Sequence, residues 1–346
     1  MTLDERKQNV LRAIIRDYIL TAEPVGSRTI AKKYELGVSP ATIRNEMSDL
    51  EEMGYIEQLH TSSGRIPSDR GYRYYVDCLM KKKKITEDQA SSIIVGVKSK
   101  ALDVASVLQQ TNTILSNITN YTTLVTGPKF KKTILRHCQL VHLDYDKALL
   151  VVVTDNGQVQ NRLIEVPQTI DHVDLQKISQ VLNAKLQGLS LEDIKLSLIK
   201  EIYYELSMHK DIFDAAMDLV QETLNLTHQD KVYLAGTLNI LNQPEFRDVG
   251  RVKTLLSLLE QDKILKEIIS EKSHSDDGIN VTIGSENTVE GLKECSTVTA
   301  TYQIDGKVVG SVGVIGPTRM DYEKAVSIVE FMTQHLSQMM KDFYGR

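Results

Sequence analysis

The sequence predicts an α+β protein of several domains that begins with a module of three helices and a β-hairpin. Its 346 residues exceed the usual size of one domain, so two or three folded units are expected. Apolar residues recur at helical spacing up to residue 53, and a short hairpin pattern follows. Further along, stretches with β propensity lie on both sides of a mostly helical stretch at 169–271, which indicates a sheet domain interrupted by an insertion.

The composition is that of an ordinary folded protein, with 41% hydrophobic and 25% charged residues. No apolar run reaches the roughly 18 residues of a membrane span, and the N-terminus lacks a signal-peptide pattern, so we expect a cytoplasmic protein with no membrane partner. The net charge is −5, but the first 84 residues hold 15 Lys and Arg against 12 Asp and Glu. Only this segment leans basic, which weakly favours a nucleic-acid contact confined to it.

Three helices are predicted in the first segment. Apolar spacing predicts the first over 3–20, and a second is predicted over 28–34 with Ser27 as its N-cap. The third begins most clearly, because Ser39 is suited to cap free amides and Pro40 suits the first helical position.

The third helix is expected to bury one stripe and present another. Its inward stripe consists of Ile43, Met47 and Leu50. The candidate base-reading residues on the outer face and its flanks are Ala41, Thr42, Arg44, Asn45 and Ser48. Asn can bond an adenine edge through two hydrogen bonds, Arg a guanine edge, and Ser or Thr either bases or phosphates.

A strand at 55–59 and a hairpin tip at 61–64 complete the pattern of a winged helix-turn-helix. Hydroxyl and cationic side chains around this module are candidates for contacts to the DNA backbone. These are Ser27, Arg28, Lys32, Lys33, Thr61, Ser62, Ser63 and Arg65. Winged-helix modules that bind only protein share the same pattern, so that alternative stays open.

The remaining chain alternates between helical and β patterns. Helices are predicted from Thr86 and around 104–118, and an amphipathic helix closes the chain from Tyr322. The predicted strands are 147–154, 159–166, 279–283, 297–304 and 307–315, with a further possible strand at 231–240.

Several contiguous motifs resemble one known family. The N-terminal segment contains PVGSRT at 24–29, VSPATIRNEM at 38–47 and HTSSGRIP at 60–67. These runs, together with GSVGVIGP at 310–317, resemble the heat-inducible transcription repressor family, HrcA. The resemblance is more specific than a generic helix-turn-helix match because the motifs are long.

The resemblance implies an architecture and a regulatory circuit. It implies a winged helix-turn-helix domain at 1–84, a GAF-like α/β domain at 85–168 and 275–346, and an inserted, mainly helical dimerisation domain at 169–274. It further implies a repressor of chaperone operons that binds an inverted-repeat operator, CIRCE, as a homodimer and is kept active by the chaperonin GroEL. A two-fold operator needs a two-fold protein, and the helical run 190–224 is our candidate for the dimer interface.

Enzyme chemistry is not expected. The chain has neither a phosphate-binding Walker loop nor a dinucleotide fingerprint, and we predict no catalytic residue, metal or cofactor. The cysteines Cys78, Cys138 and Cys295 are too widely separated for a CxxC site. His137, Cys138 and His142 form the only His/Cys cluster in the sequence and are interpreted as structural. The competing hypothesis is a repressor whose GAF-like domain binds a small effector.

Overall fold

The computed structural model describes residues 3–58, 64–83, 85–98, 104–128, 133–144, 146–155, 157, 159–207, 209–225, 232–270 and 278–344. It has a mixed α/β fold in two compact units. The first unit contains the described residues of 1–101, 106–126 and 232–341, and the second contains mainly those of 127–231. None of the described helices combines the length and hydropathy needed to cross a bilayer.

The first unit opens with three helices, α1 (Glu5–Thr21), α2 (Ser27–Lys33) and α3 (Pro40–Glu52). Strands β1 (Ile56–Glu57) and β2 (Ile66–Pro67) pair antiparallel, and a bridge between Val25 and Arg65 extends this pairing. The core of this segment includes Val10, Leu11, Ile14, Ile15, Ile30, Ile43, Leu50 and Ile56, each at most 1% exposed. Helix α4 (Asp69–Tyr74) follows and runs into a π-helical turn at Tyr75–Leu79.

Local signals place the three helices within a residue or two. The Ser39 hydroxyl accepts a hydrogen bond from the Thr42 amide at 3.1 Å, which confirms the predicted cap of α3. The prediction for α2 is wrong by one residue. Gly26 occupies the N-cap position, because its carbonyl already accepts the first helical bond from Ile30, and Ser27 lies inside the helix.

A five-stranded antiparallel sheet and several helices form the rest of the first unit. Its strands are β3 (Thr122–Thr126), β7 (Val232–Ala235), β8 (Ile279–Ile283), β9 (Cys295–Ile304) and β10 (Lys307–Pro317), in the order β7-β3-β10-β9-β8. Its helices are α5 (Glu87–Lys98), α10 (Val249–Leu259), α11 (Asp262–Ser270), most of α6 (Val104–Thr119) and most of α12 (Tyr322–Tyr344). The β9–β10 turn has positive φ at Asp305 and Gly306, as a two-residue hairpin requires.

The second unit is a three-stranded antiparallel sheet covered by helices on one face. Strands β4 (Leu135–Asp144), β5 (Lys147–Thr154) and β6 (Val159–Glu165) pair in that order. The helices are α7 (His172–Leu186), α8 (Leu196–Glu205) and α9 (Lys210–Asn225). Leu140, Leu150 and Ile164 of the sheet share one buried cluster with Leu182 of α7 and Val220 of α9.

This division differs from the predicted domain boundaries of 85–168 and 169–274. The strands at 135–165 pack with helices α7 and α9, whereas the segment 232–270 lies with the five-stranded sheet. Sequence patterns identify strands but not their partners, and pairing between distant strands decides which unit each one joins.

Candidate nucleic-acid interface

The outer face of α3 presents the side chains that the sequence predicts to read bases. Ala41, Arg44, Asn45 and Ser48 are exposed, whereas the stripe of Ile43, Met47 and Leu50 is buried. The side chains of Arg44 and Asn45 form no hydrogen bond or ion pair with any other described residue. Both therefore keep their full hydrogen-bonding capacity for a ligand.

Thr42 lies at the edge of this face and is half-buried. Its hydroxyl oxygen is 3.0 Å from that of Ser39, within the cap of the helix. The Thr42 side chain is therefore partly engaged in holding the N-terminus of α3, next to the exposed positions.

An ion-pair cluster fixes α3 against α1. Lys7 of α1 lies 2.9 Å from a carboxylate oxygen of Glu46 and 2.9 Å from one of Asp49. The hydrogen bonds to Glu46 and then to Asp49 raise the pKa of Lys7 above its ordinary value. Because the Glu46 side chain is only 11% exposed, this cluster holds the exposed face of α3 in a defined orientation.

The predicted backbone contacts on α2 divide into two groups. Arg28 and Lys32 are exposed and have no ion-pair partner among the described residues. Lys33 instead pairs with Asp17 of α1, whose carboxylate is 5% exposed, and this hydrogen bond raises the pKa of Lys33. Ser27 is half-buried in the first turn of α2.

The hairpin places Arg65 beside an acidic partner. Its Nε donates to Oε2 of Glu51 at 2.8 Å, and the Arg65 side chain is 22% exposed. Glu51 lies on α3, so this pair links the hairpin to that helix. The predicted contacts Thr61, Ser62 and Ser63 lie outside the described residues.

Sequence patterns did not identify one exposed cation near α3. The guanidinium of Arg70, on α4, lies 4.7 Å from the centre of the Tyr55 ring, just beyond the end of α3. The two residues are 15 positions apart, so no helical or strand periodicity links them. Stacking on Tyr55 holds a positive charge at the base of the hairpin.

The His/Cys cluster proposed as structural does not assemble into a ligand set. Cys138 of β4 is buried, whereas its neighbours His137 and His142 are exposed. No group of three or more His, Cys, Asp or Glu residues within the described ranges is arranged to hold a metal ion.

Known proteins resemble the chain over nearly its whole length. Residues 105–326 match the family described as "HrcA protein C terminal domain". The chain is 56% identical over 341 residues to the heat-inducible transcription repressor HrcA of Pelotomaculum thermopropionicum, covering 99% of this chain and 98% of that protein. The repressor of the same name from Desulforamulus reducens is 53% identical over 340 residues, covering 98% of each.

A solved structure has a similar fold. A crystal structure described as that of a hypothetical protein superposes with a TM-score of 0.71 and 24% identity, covering 99% of this chain and 100% of that one. At this level of identity the likeness establishes the fold alone.

The similar curated proteins define a class, transcription repressors rather than enzymes. Because the family match covers most of the chain and identity over the full length reaches 56%, the chain belongs to the heat-inducible transcription repressor family, HrcA. The resemblance predicted from the motifs is confirmed, and the chain acts as a negative regulator of heat-shock genes.

Proposed function

We propose that this repressor binds a CIRCE-type inverted repeat at chaperone operons as a cytoplasmic homodimer and is kept active by the chaperonin GroEL. The observation that carries the DNA-binding part is the exposed face of α3 on which Arg44 and Asn45 stand without a described partner. Exposed, unpaired Arg and Asn side chains on a capped helix fit the edges of bases in a major groove.

The N-terminal segment is proposed to be a winged helix-turn-helix. Helices α1 to α3 followed by the β1–β2 pair have the order of that module, with α3 as the recognition helix. The five-stranded antiparallel sheet with its helices is proposed to be the GAF-like domain.

Base reading and phosphate contact are assigned to different residues. Ala41, Thr42, Arg44, Asn45 and Ser48 are proposed to face the bases. Arg28 and Lys32 are proposed to contact phosphates directly, because they are exposed cations on the neighbouring helix. Lys33 and Arg65 would first have to exchange Asp17 and Glu51 for phosphate.

The homodimer is proposed to form through the uncovered face of the three-stranded sheet. The aliphatic side chains Val141, Leu149 and Leu163 lie side by side in one row across the three strands. Val141 is 40% and Leu163 is 55% exposed. Two rows on one side of it consist of Gln139, Val151 and Asn161 and of His137, Val153 and Val159, whereas Lys147 is paired with Glu165 on its other side.

A second copy is the occupant that this face fits. The row of Val141 and the two rows on its Gln139 side contain no Lys, Arg, Asp or Glu, so contact between two copies over these three rows brings no like charges together. The run 190–224 that the sequence singled out is divided between α8 and α9 and exposes Leu196 and Tyr204 on α8. We favour the sheet because its apolar residues adjoin across three strands.

The small-effector alternative needs a ligand site in the sheet domain, and one cavity beside the five-stranded sheet is too small for it. Residues lining it include Tyr121, Ile240, Phe246, Cys295 and Ile315. Its volume is about 10 Å³, which corresponds to roughly one water molecule. This cavity therefore has no room for a metabolite, and the alternative would depend on the open cleft of about 400 Å³ lined by Ile279, Gln303 and Gln334.

Salt-dependent DNA binding tests the proposal. Fluorescence anisotropy is measured with a CIRCE-type inverted repeat and a scrambled duplex of equal length, with and without chaperonin. We expect tighter binding to the repeat, affinity that falls as salt rises, and a larger active fraction with chaperonin in a stoichiometric titration. Equal affinity for both duplexes would refute operator recognition, and activation that requires an added metabolite would favour the alternative.

A further inference from the structure

Polar contacts join the N-terminal segment, residues 3–83, to the sheet portion of the same unit. Glu323 in the first turn of α12 has a side chain that is only 9% exposed. The same oxygen, Oε1, accepts hydrogen bonds from Nη2 of Arg16 and from the Tyr75 hydroxyl, each at 2.8 Å. One carboxylate thus binds both α1 and the π-helical turn that follows α4.

The last turn of α1 has a second polar contact, with Arg319. Arg319, four residues before Glu323, donates from Nη1 to the carbonyl of Ile19 at 3.1 Å. Its other guanidinium nitrogens bind Glu245 and the side-chain oxygen of Gln243. Because the Arg319 side chain is 13% exposed, this contact is partly desolvated and oriented on three sides.

Helix α4 is attached to the loop after β8. Nε of Arg73 donates to Oε1 of Glu286 at 2.8 Å, and Oδ2 of Asp69 accepts from the Ser285 amide at 2.8 Å and its hydroxyl at 2.7 Å. Gly284 has a φ of +51°, and a Cβ there would lie 2.3 Å from Oδ1 of Asp69. Only glycine allows this close approach.

Buried aromatic rings lie within the same contact. Tyr72 of α4 is 2% exposed and Tyr322 of α12 is fully buried, and their ring centres are 5.7 Å apart. We call these contacts the joint; its residues are Glu323, Arg319, Asp69, Arg73 and Tyr72. The joint combines buried aromatic packing with hydrogen bonds to both α1 and α4.

Helix α1 links the joint to the recognition face of α3. Arg16 and Ile19 anchor the C-terminal half of α1, and Lys7 in its N-terminal half holds α3 through Glu46 and Asp49. A single helix thus connects α12 to α3. Orientation set at the joint is passed to the recognition helix without an intervening loop.

We propose that the joint determines which half-site spacing the repressor accepts. This inference rests on the proposed DNA-binding homodimer. One added base pair moves a half-site by about 3.4 Å and rotates it by about 35° around the duplex. A recognition helix fixed to the sheet of its own unit can follow that rotation only together with that sheet, whereas a segment released from the joint can turn by itself.

The test compares spacing profiles of full-length variants. Asp69→Ala/Arg73→Ala loosens the loop contact, and Glu323→Gln removes the charge at the centre of the joint while keeping its shape. The matched control is Arg251→Ala/Glu294→Ala, an exposed ion pair with an N···O distance of 2.9 Å in the same unit and outside the joint. Affinity is measured for the inverted repeat with its natural spacer and with one to three base pairs added or removed.

The wild type and the control should lose on the order of 100-fold in affinity when the spacer changes, because one half-site is lost. The joint variants should lose less than about 30-fold in affinity when the spacer changes, and they should bind a single half-site as tightly as the wild type. A joint variant that binds half-sites normally but keeps the wild-type spacing profile would overturn the inference. If the wild type itself does not distinguish the inverted repeat from a scrambled duplex, the proposed function fails instead.

Discussion

At the scale of single residues, the recognition face depends on side chains that the fold leaves unpaired. Arg44 and Asn45 are exposed on α3 and form no contact with another described side chain through a hydrogen bond or ion pair. Lys33 and Arg65 carry similar charges but are paired within the protein. Exposure and pairing together therefore separate candidates that composition alone treats alike.

Replacing Asn45 or Arg44 by Ala should cost about 1 to 3 kcal/mol of operator affinity and relax the preference at one base position. Competition binding with single-base-pair operator variants measures both effects. Glu52→Ala, an exposed change at the end of the same helix, is the control. A loss that is uniform over all DNA sequences would reassign the residue to the phosphate backbone.

Replacing Lys32 by Ala should weaken binding to every duplex and reduce the slope of log affinity against log salt by about one. Arg65→Ala should have the same effect if Arg65 leaves Glu51 on binding, and Glu51→Gln should then strengthen binding to all sequences. An unchanged salt slope in both Ala variants would contradict the phosphate assignment.

The hydrogen bonds of Glu323 lead us to expect a specific dependence of the protein's stability on pH. Burial raises its pKa, but the hydrogen bonds from Arg16 and Tyr75 outweigh burial, so the pKa lies below the ordinary 4.5. A carboxyl with a depressed pKa stabilises the fold above pH 4.5, and this contribution is lost as the pH falls through the folded-state value.

The urea midpoint of the wild type should therefore fall more between about pH 7 and about pH 3.5 than that of Glu323→Gln. Glu294→Gln removes an exposed carboxylate and should keep the wild-type pH dependence. If Glu323→Gln shows the same decline as the wild type, the ion pair with Arg16 does not contribute to stability.

At the scale of secondary structure, the two faces of the β4–β5–β6 sheet behave differently. One face packs on α7 and α9, and the other leaves the row of Val141, Leu149 and Leu163 uncovered. An alternating strand predicts one buried and one open face, but an aliphatic open face is a candidate for contact with another molecule.

Val141→Lys/Leu163→Lys should convert the dimer into a monomer, because it places like charges opposite each other in a two-fold contact. Sedimentation velocity at micromolar concentration measures the state. Leu196→Lys/Tyr204→Lys, on exposed positions of α8, is the matched variant and should stay dimeric. The reverse result would return the interface to the helical run 190–224, and a monomeric wild type would refute the homodimer.

At the scale of the whole molecule, the proposed dimer contact and the proposed DNA contact belong to different units of the chain. The proposed dimer face lies on the second unit, and the recognition face lies on the first. Tyr72 and Tyr75 of the N-terminal segment are buried at the joint, so this segment is not an independent tethered module. Loss of the dimer should therefore reduce operator binding while leaving the recognition face folded.

The full-length variant Val141→Lys/Leu163→Lys should bind the complete operator and a single half-site with similar affinity. The wild type should prefer the complete operator by on the order of 100-fold, because its second half-site binds at a high effective concentration. Electrophoretic mobility shift assays with both duplexes measure the ratio. A variant that keeps the wild-type preference would separate dimerisation from the sheet face.

Sequence alone was sufficient for the position of helix α3 and for most strands. The cap at Ser39, the stripe of Ile43, Met47 and Leu50, and the Asp305–Gly306 turn are encoded within a few neighbouring residues, so local periodicity identifies them. The contiguous motifs likewise sufficed to predict the family. Strands β3 and β4 and the division of strands between the two units were not predicted, because pairing depends on partners elsewhere in the chain.

Only the tertiary structure decided which charged side chains are unpaired and how helix α3 is oriented. The pairs Lys33–Asp17 and Arg65–Glu51 join residues 16 and 14 positions apart, and Arg16 meets Glu323 across 307 positions. Such contacts arise from packing rather than from the period of a helix or strand. The candidate DNA-binding residues could be named from the sequence, whereas their pairing and orientation required the folded molecule.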